Sequence, residues 1–184
     1  MRVFFFVSCC MLKISLIISF LISLNTFAQH PLDSWLGDYE GKMILGYSNG
    51  KVDSVDVEFS FKELVNDTIW SHKMIYKSEK WGEITKDYYI RSIRKSDTIN
   101  FILDERNGID LQATLMNNCF YELYNVMGSY YATTLRKESE KLIFDLFTAP
   151  ENSLKENEVE GDDGSIKVGS IKTKLHQTAI LYRK

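Results

Sequence analysis

Four large side chains recur at every second position from residue 70: Trp70, His72, Met74 and Tyr76, with Ser71, Lys73 and Lys77 on the alternate phase. Period two is the spacing of a pleated strand, whose successive side chains leave by opposite faces. The apolar phase therefore carries an imidazole and a phenol inward beside Trp and Met. A buried imidazole must find a hydrogen-bond partner or remain costly. Such a set suits a pocket for a small apolar or amphiphilic molecule. His72 and Tyr76 would be its polar points, Trp70 and Met74 its walls, and Tyr88 and Tyr124 further lining. A neighbouring Tyr or a backbone carbonyl in a packed core would satisfy His72 equally well.

Parts for catalysis are scarce. His72 and His176 are the only histidines deep in the chain, His30 standing near its start. No His-x-x-x-His or Cys-x-x-Cys spacing occurs, and nothing marks a serine nucleophile elbow. Carboxylates are plentiful but fall at turns or on the polar phase of strands, where solvated surface charge is expected. Cys119 is the one cysteine beyond residue 28, so an internal disulfide is impossible after removal of that segment. A small apolar thiol buried in a strand is its expected role. No catalytic residue, cofactor or metal is expected, and the chain is not expected to be an enzyme.

Residues 1–28 read as a secretory signal. Lys13 supplies the positive region, Ile14 to Leu24 the apolar region, and Thr26-Phe27-Ala28 a small-residue cleavage site after Ala28. Met11 is a second candidate start that would preserve a complete signal. Cys9 and Cys10 precede most of the apolar run, the wrong place for lipidation. Cleavage leaves 156 residues with 20 basic and 25 acidic side chains, a net of −5. That is the length of one domain with a substantial core. Its acidity gives no electrostatic reason to bind nucleic acid or an anionic membrane. A periplasmic or extracellular location follows, with no stable membrane insertion once the signal is removed.

The two prolines, Pro31 and Pro150, bracket a stretch rich in Tyr, Phe, Ile, Val and Thr, which favour strands. Turn signals recur within it, strongest at Asn49-Gly50 and Asn107-Gly108. The spacing predicts ten strands: 38–47, 52–62, 69–77, 84–94, 98–104, 109–116, 119–127, 130–137, 141–148 and 171–183. In the second, Val55, Val57, Phe59 and Phe61 alternate with Asp56, Glu58, Ser60 and Lys62. The polar segment 151–170 is expected to be a long mobile loop. Ten short sequential strands predict an all-β, antiparallel up-and-down barrel, closed to remove its edges, with a two-sheet sandwich as the alternative.

The run Trp35-Leu36-Gly37-Asp38-Tyr39-Glu40-Gly41-Lys42 resembles the opening of calycin-type barrels, the lipocalin, fatty-acid-binding and nitrobindin-like families, with Tyr39 in place of a second Trp. The closing Leu181-Tyr182-Arg183-Lys184 resembles their last strand. The resemblance implies a barrel floor sealed by Trp35, with an arginine, Arg183 or Arg136, across its ring or that of Tyr39. Resemblance to nitrobindin-like barrels also implies a haem ligand on the last strand, where His176 stands. Met43, however, occupies a position where that family has a further Gly.

Three functions compete. The leading one is an exported, non-catalytic barrel binding a small apolar or amphiphilic ligand. The second is a cell-envelope protein–protein interaction or inhibitor module, using Tyr130-Tyr131 or the 151–170 segment. The third is a haem-binding barrel. A connected cavity with polar groups inside would favour the first, and a barrel filled solidly by side chains the second.

Overall fold

Alternation of apolar and polar residues, carried around a closed ring of strands, decides the architecture. A computed structural model of the chain describes residues 30–94, 97–161 and 164–184. The expected signal, residues 1–28, lies outside the described residues. A 3-10 turn at Asp33–Trp35 leads into β1 (Gly37–Tyr47), β2 (Val52–Val65), β3 (Ile69–Ser78), β4 (Gly82–Ser92), β5 (Asn100–Asp104) and β6 (Asp110–Met116). β7 (Cys119–Val126), β8 (Ser129–Glu138), β9 (Lys141–Pro150), β10 (Lys155–Gly161), β11 (Gly164–Ser170) and β12 (Leu175–Arg183) follow.

Ten strands close into one antiparallel barrel in the order β1-β12-β9-β8-β7-β6-β5-β4-β3-β2. Every ring strand thus has two hydrogen-bonded neighbours, although β4 meets β5 only over 89–92 and β7 meets β6 only over 119–121. Val55, Val57, Phe59 and Phe61 of β2 point inward and are buried, while Asp56 and Glu58 face solvent. Tight turns follow the expected chemistry: Gly50 and Gly108 have positive φ, as do Asn117 and Asn118 at the β6–β7 turn.

Segment 151–170 departs from expectation. It is not a loop: after a 3-10 turn at Glu151–Ser153, β10 and β11 pair as a separate two-stranded hairpin. Val159 stands opposite Ile166, and Glu158 opposite Lys167, so both apolar and charged cross-strand pairs favour this register. Gly161 and Gly164 are the last pair of this ladder. The last ring strand correspondingly starts at Leu175 rather than at residue 171.

Closure depends on β1 meeting β12, with Tyr39 opposite Arg183 and Gly41 opposite Leu181. At Gly41 a Cβ would stand 2.1 Å from the Ile180 carbonyl oxygen, so the strands meet this closely only because the side chain is absent. The floor below is aromatic. Trp35 is fully buried, with its ring 5.2 Å from that of Phe120 and 6.2 Å from that of Phe61. Phe101 bridges Phe120 (5.4 Å) and Trp70 (6.0 Å).

Arg183 seals this floor, but over Tyr39 and not over Trp35. Its guanidinium lies 5.5 Å from the Tyr39 ring centroid. It donates to the Tyr39 hydroxyl (3.0 Å) and the Ser34 carbonyl (2.8 Å), and pairs with Glu140 (3.0 Å). The Tyr39 hydroxyl donates in turn to the Trp35 carbonyl at 2.8 Å. Arg136 takes no part: its side chain is exposed and pairs with Glu138 at 2.9 Å. On β8 it falls on the outward phase, between the buried Leu135 and Lys137.

These contacts predict a ranking in urea unfolding. Gly41→Ala forces the β1–β12 seam apart and costs about 2–3 kcal/mol. Arg183→Ala removes two hydrogen bonds and a cation–π contact, costing about 1–2 kcal/mol. Arg136→Ala loses only an exposed ion pair and costs less than about 0.5 kcal/mol. Equal effects of the two arginine variants would refute the latch.

Candidate functional site

The floor fills one end of the barrel. Because β1 starts there and neighbours alternate in direction, the other end carries the β1–β2, β3–β4, β5–β6 and β7–β8 turns. Toward that end the interior holds a cavity of about 450 Å³. Its walls include Met43, Val55, Met74, Leu103, Leu111 and Phe144. Trp81, Ile84, Lys86 and Val126, all exposed, stand at its mouth. A volume of several hundred Å³ with apolar walls is typical of small-molecule sites.

Five of the six side chains expected to line a pocket do so: His72, Met74, Tyr76, Tyr88 and Tyr124. Trp70 does not. It belongs to the floor, fully buried against Phe101, because β3 runs upward and Trp70 is one inward position below His72. The His72 ring lies parallel to that of Tyr88 (6.5 Å, 13°), the residue opposite it on β4, and edge-on to Phe59 at 4.9 Å. Its Nδ1 is buried with no hydrogen-bond partner. Burial depresses the imidazole to about 4, so His72 is neutral at physiological pH. Burial raises the hydroxyls of Tyr76, Tyr88 and Tyr124, which therefore stay protonated as hydrogen-bond donors.

Two lining carboxylates were not expected, Glu105 and Glu122. On β7 the inward phase is Phe120, Glu122, Tyr124 and Val126, and beyond β5 the phase Phe101, Leu103 continues to Glu105. That phase is the signal that identifies them: each carboxylate occupies a position in an otherwise apolar alternation. Burial, reinforced by the negative charge of Glu105, raises the Glu122 carboxyl to about 7. Tyr131 and Thr133 line the wall beside it, and the Tyr124 and Tyr131 rings stack at 5.1 Å.

The haem reading of His176 is overturned by strand phase. Gln177 faces the cavity, so its neighbour His176 faces outward. There its Nε2 lies 3.0 Å from Asp145 Oδ1 and its ring stacks on Phe147 at 4.3 Å. Among the described residues no group of three or more His, Cys, Asp and Glu is placed to hold a metal ion. Cys119 is buried, its thiol raised by burial and donating to the Phe120 carbonyl at 3.5 Å. Gly46-Tyr47-Ser48-Asn49-Gly50 does spell Gly-x-Ser-x-Gly, contrary to the expectation that nothing marks a nucleophile elbow. It forms the β1–β2 hairpin instead of a strand-to-helix elbow.

No family model matches the chain, and no curated protein matches it. Solved structures do. An S-type phycobiliprotein lyase, CPES, from Guillardia theta superposes with a TM-score of 0.57 at 4% identity, over 83% of this chain and 90% of that one. A DUF3598-family protein of unknown function from Nostoc punctiforme gives 0.55 at 10% identity, over 83% of this chain and 49% of that longer one. Rv2717c from M. tuberculosis gives 0.52 at 14% identity, over 83% and 94%. These neighbours are calycin-like barrels, and the likeness establishes the fold.

Glu122 and His72 give opposite dependences of stability on pH. Glu122 ionises near 4.5 in the unfolded chain but near 7 in the fold, so its burden on stability grows as pH rises through this window and is complete above it. His72 binds its proton near 6.5 when unfolded and near 4 when folded, so its contribution is complete above 6.5 and is lost as pH falls toward 4. Glu122→Gln should therefore raise the Tm of the empty protein by about 3 °C or more at pH 8, with little gain at pH 4. A gain independent of pH would contradict this placement of the carboxyl.

Proposed function

We propose that this chain is an exported, non-catalytic barrel protein that holds a small apolar or amphiphilic molecule inside the barrel. The observation that carries the reading is the cavity: about 450 Å³, walled by Met, Val, Leu and Phe, with His72, Tyr88, Tyr124 and Glu122 turned into it. A barrel built only as a rigid interaction scaffold gains nothing from an unfilled interior with inward polar groups, since each void and unpaired group lowers stability. That argument favours the binder over the interaction module. The likeness to a phycobiliprotein lyase supports the fold, and a fold alone does not define a ligand. The leader Met1 to Ala28 supports export to the periplasm or beyond.

Two measurements test this. Titration of the neutral solvatochromic dye Nile red should give saturable one-to-one binding with a blue-shifted emission, and His72→Leu should weaken it several-fold. Absence of saturable binding would count against an apolar ligand, and unchanged affinity in the variant would remove His72 from the site. N-terminal sequencing of the exported protein should begin at Gln29. A protein retaining residues 1–28 would refute the cleavage.

A further inference from the structure

Two carboxylates line the cavity, and among the described residues its one lining cation is Lys86, exposed at the mouth. Glu122 stands on the inward phase of β7 between Phe120 and Tyr124, and Glu105 lies beyond the end of β5 on the same lining. Among the described residues neither carboxylate takes part in an ion pair, and Glu122 has no hydrogen-bond partner. This is unlike the outer surface, where Asp104 and Asp110 share Arg91 and Glu138 is paired with Arg136 and Lys141. Glu105 accepts from Asn107 Nδ2 at 3.2 Å, whereas a buried carboxylate without a partner, as at Glu122, is costly, and Lys86 is the one cation among the residues lining this cavity.

The surroundings fit a positive charge. Tyr124 and its stacked neighbour Tyr131 stand on β7 and β8, and Tyr76 and Tyr88 on β3 and β4. Aromatic faces attract cations, most strongly where water is excluded. One cation already uses this wall: the Lys86 ammonium lies 5.9 Å from the Tyr88 ring centroid at the mouth. Lys86 is exposed and on a flexible stem, so it does not fill the interior. His72 supplies no charge there, because it is buried and neutral.

We propose that the ligand is an organic cation, a hydrophobic amine or ammonium compound, whose charged nitrogen sits between Glu122 and Glu105 against the tyrosine faces while its apolar part lies along Met74, Leu103 and Phe144. The inference rests on the cavity being a ligand site and adds the ligand's charge. It reverses the preference expected of a fatty-acid carrier, since a carboxylate ligand would meet two carboxylates.

A proton linkage follows. The groups facing Glu122 are Tyr124 on its own strand, Glu105, His72 and Tyr76 on β3, Tyr88 and Lys86 on β4, and Tyr131 on β8. Tyr76, Tyr88, Tyr124 and His72 are neutral throughout pH 5–8.5, and an alkylammonium stays charged. The carboxyl of Glu122, raised to about 7 when the cavity is empty, is the group that changes. Cation binding should expel its proton, so affinity should fall by up to tenfold per pH unit below 7.

The test is calorimetric titration of the protein, produced from the full-length chain, with decylamine, decanol and decanoate below their micelle concentrations. At pH 8 decylamine should bind at least tenfold more tightly than the other two. The preference should shrink progressively to pH 5 in wild type, and to threefold or less in Glu122→Gln with decanol affinity retained. Decanol or decanoate binding as tightly as the amine, a preference independent of pH, or one that survives Glu122→Gln would overturn the proposal while leaving the pocket intact. Failure of all three to bind would overturn the pocket as well. The pH series uses wild type alone, so the result stands even if the variant does not fold.

Discussion

The seam between β1 and β12 is the constraint on which the rest depends. It joins the first strand of the ring to the last across most of the chain, and it closes only because Gly41 lets the Ile180 carbonyl approach. Without that contact the ten strands would form an open sheet with two long edges, an invitation to association with other chains. With it, one phase of every strand is enclosed. The Arg183–Tyr39–Trp35 hydrogen-bond chain then ties the terminal strand to the turn that plugs the floor.

Floor and cavity divide the enclosed space between packed core and void. At the floor, Trp35 and Phe101 pack edge-to-face with Phe120, and Phe101 with Trp70, the arrangement that gives aromatic pairs their added attraction, while Phe61 lies tilted against Trp35. Above them the side chains become shorter or polar and a void remains. His72 and Glu122 stand at this transition. Both sit where burial disfavours their charged forms. The energetic burden of such groups is tolerable because the closed ring and the aromatic floor supply the stability elsewhere.

Much of this was legible in the residues. The alternation of Val55, Val57, Phe59 and Phe61 places β2 and its inward face without ambiguity, and the Asn-Gly pairs mark two of its sister turns. His72, Met74 and Tyr76 were found by the same phase argument. What was missed follows from physics that a single strand does not carry. Glu105 and Glu122 look like surface charge until they are set in phase with Leu103 and Tyr124. Trp70 shares a face with His72, but only the direction of β3 relative to the floor separates packed core from cavity wall. His176 sits on a strand of the right kind and on the wrong phase, a distinction fixed by Gln177 beside it. The β10–β11 hairpin escaped because its polar composition hid the pairing of Val159 with Ile166.

The most direct test of a ligand-bearing barrel is native mass spectrometry of the protein isolated gently from its native cells. The account predicts a species heavier than the polypeptide by one small molecule, released on denaturation and identifiable as a discrete mass. Protein that retains its barrel under these conditions yet emerges with the polypeptide mass alone, from every growth condition and at every purification step, would contradict it.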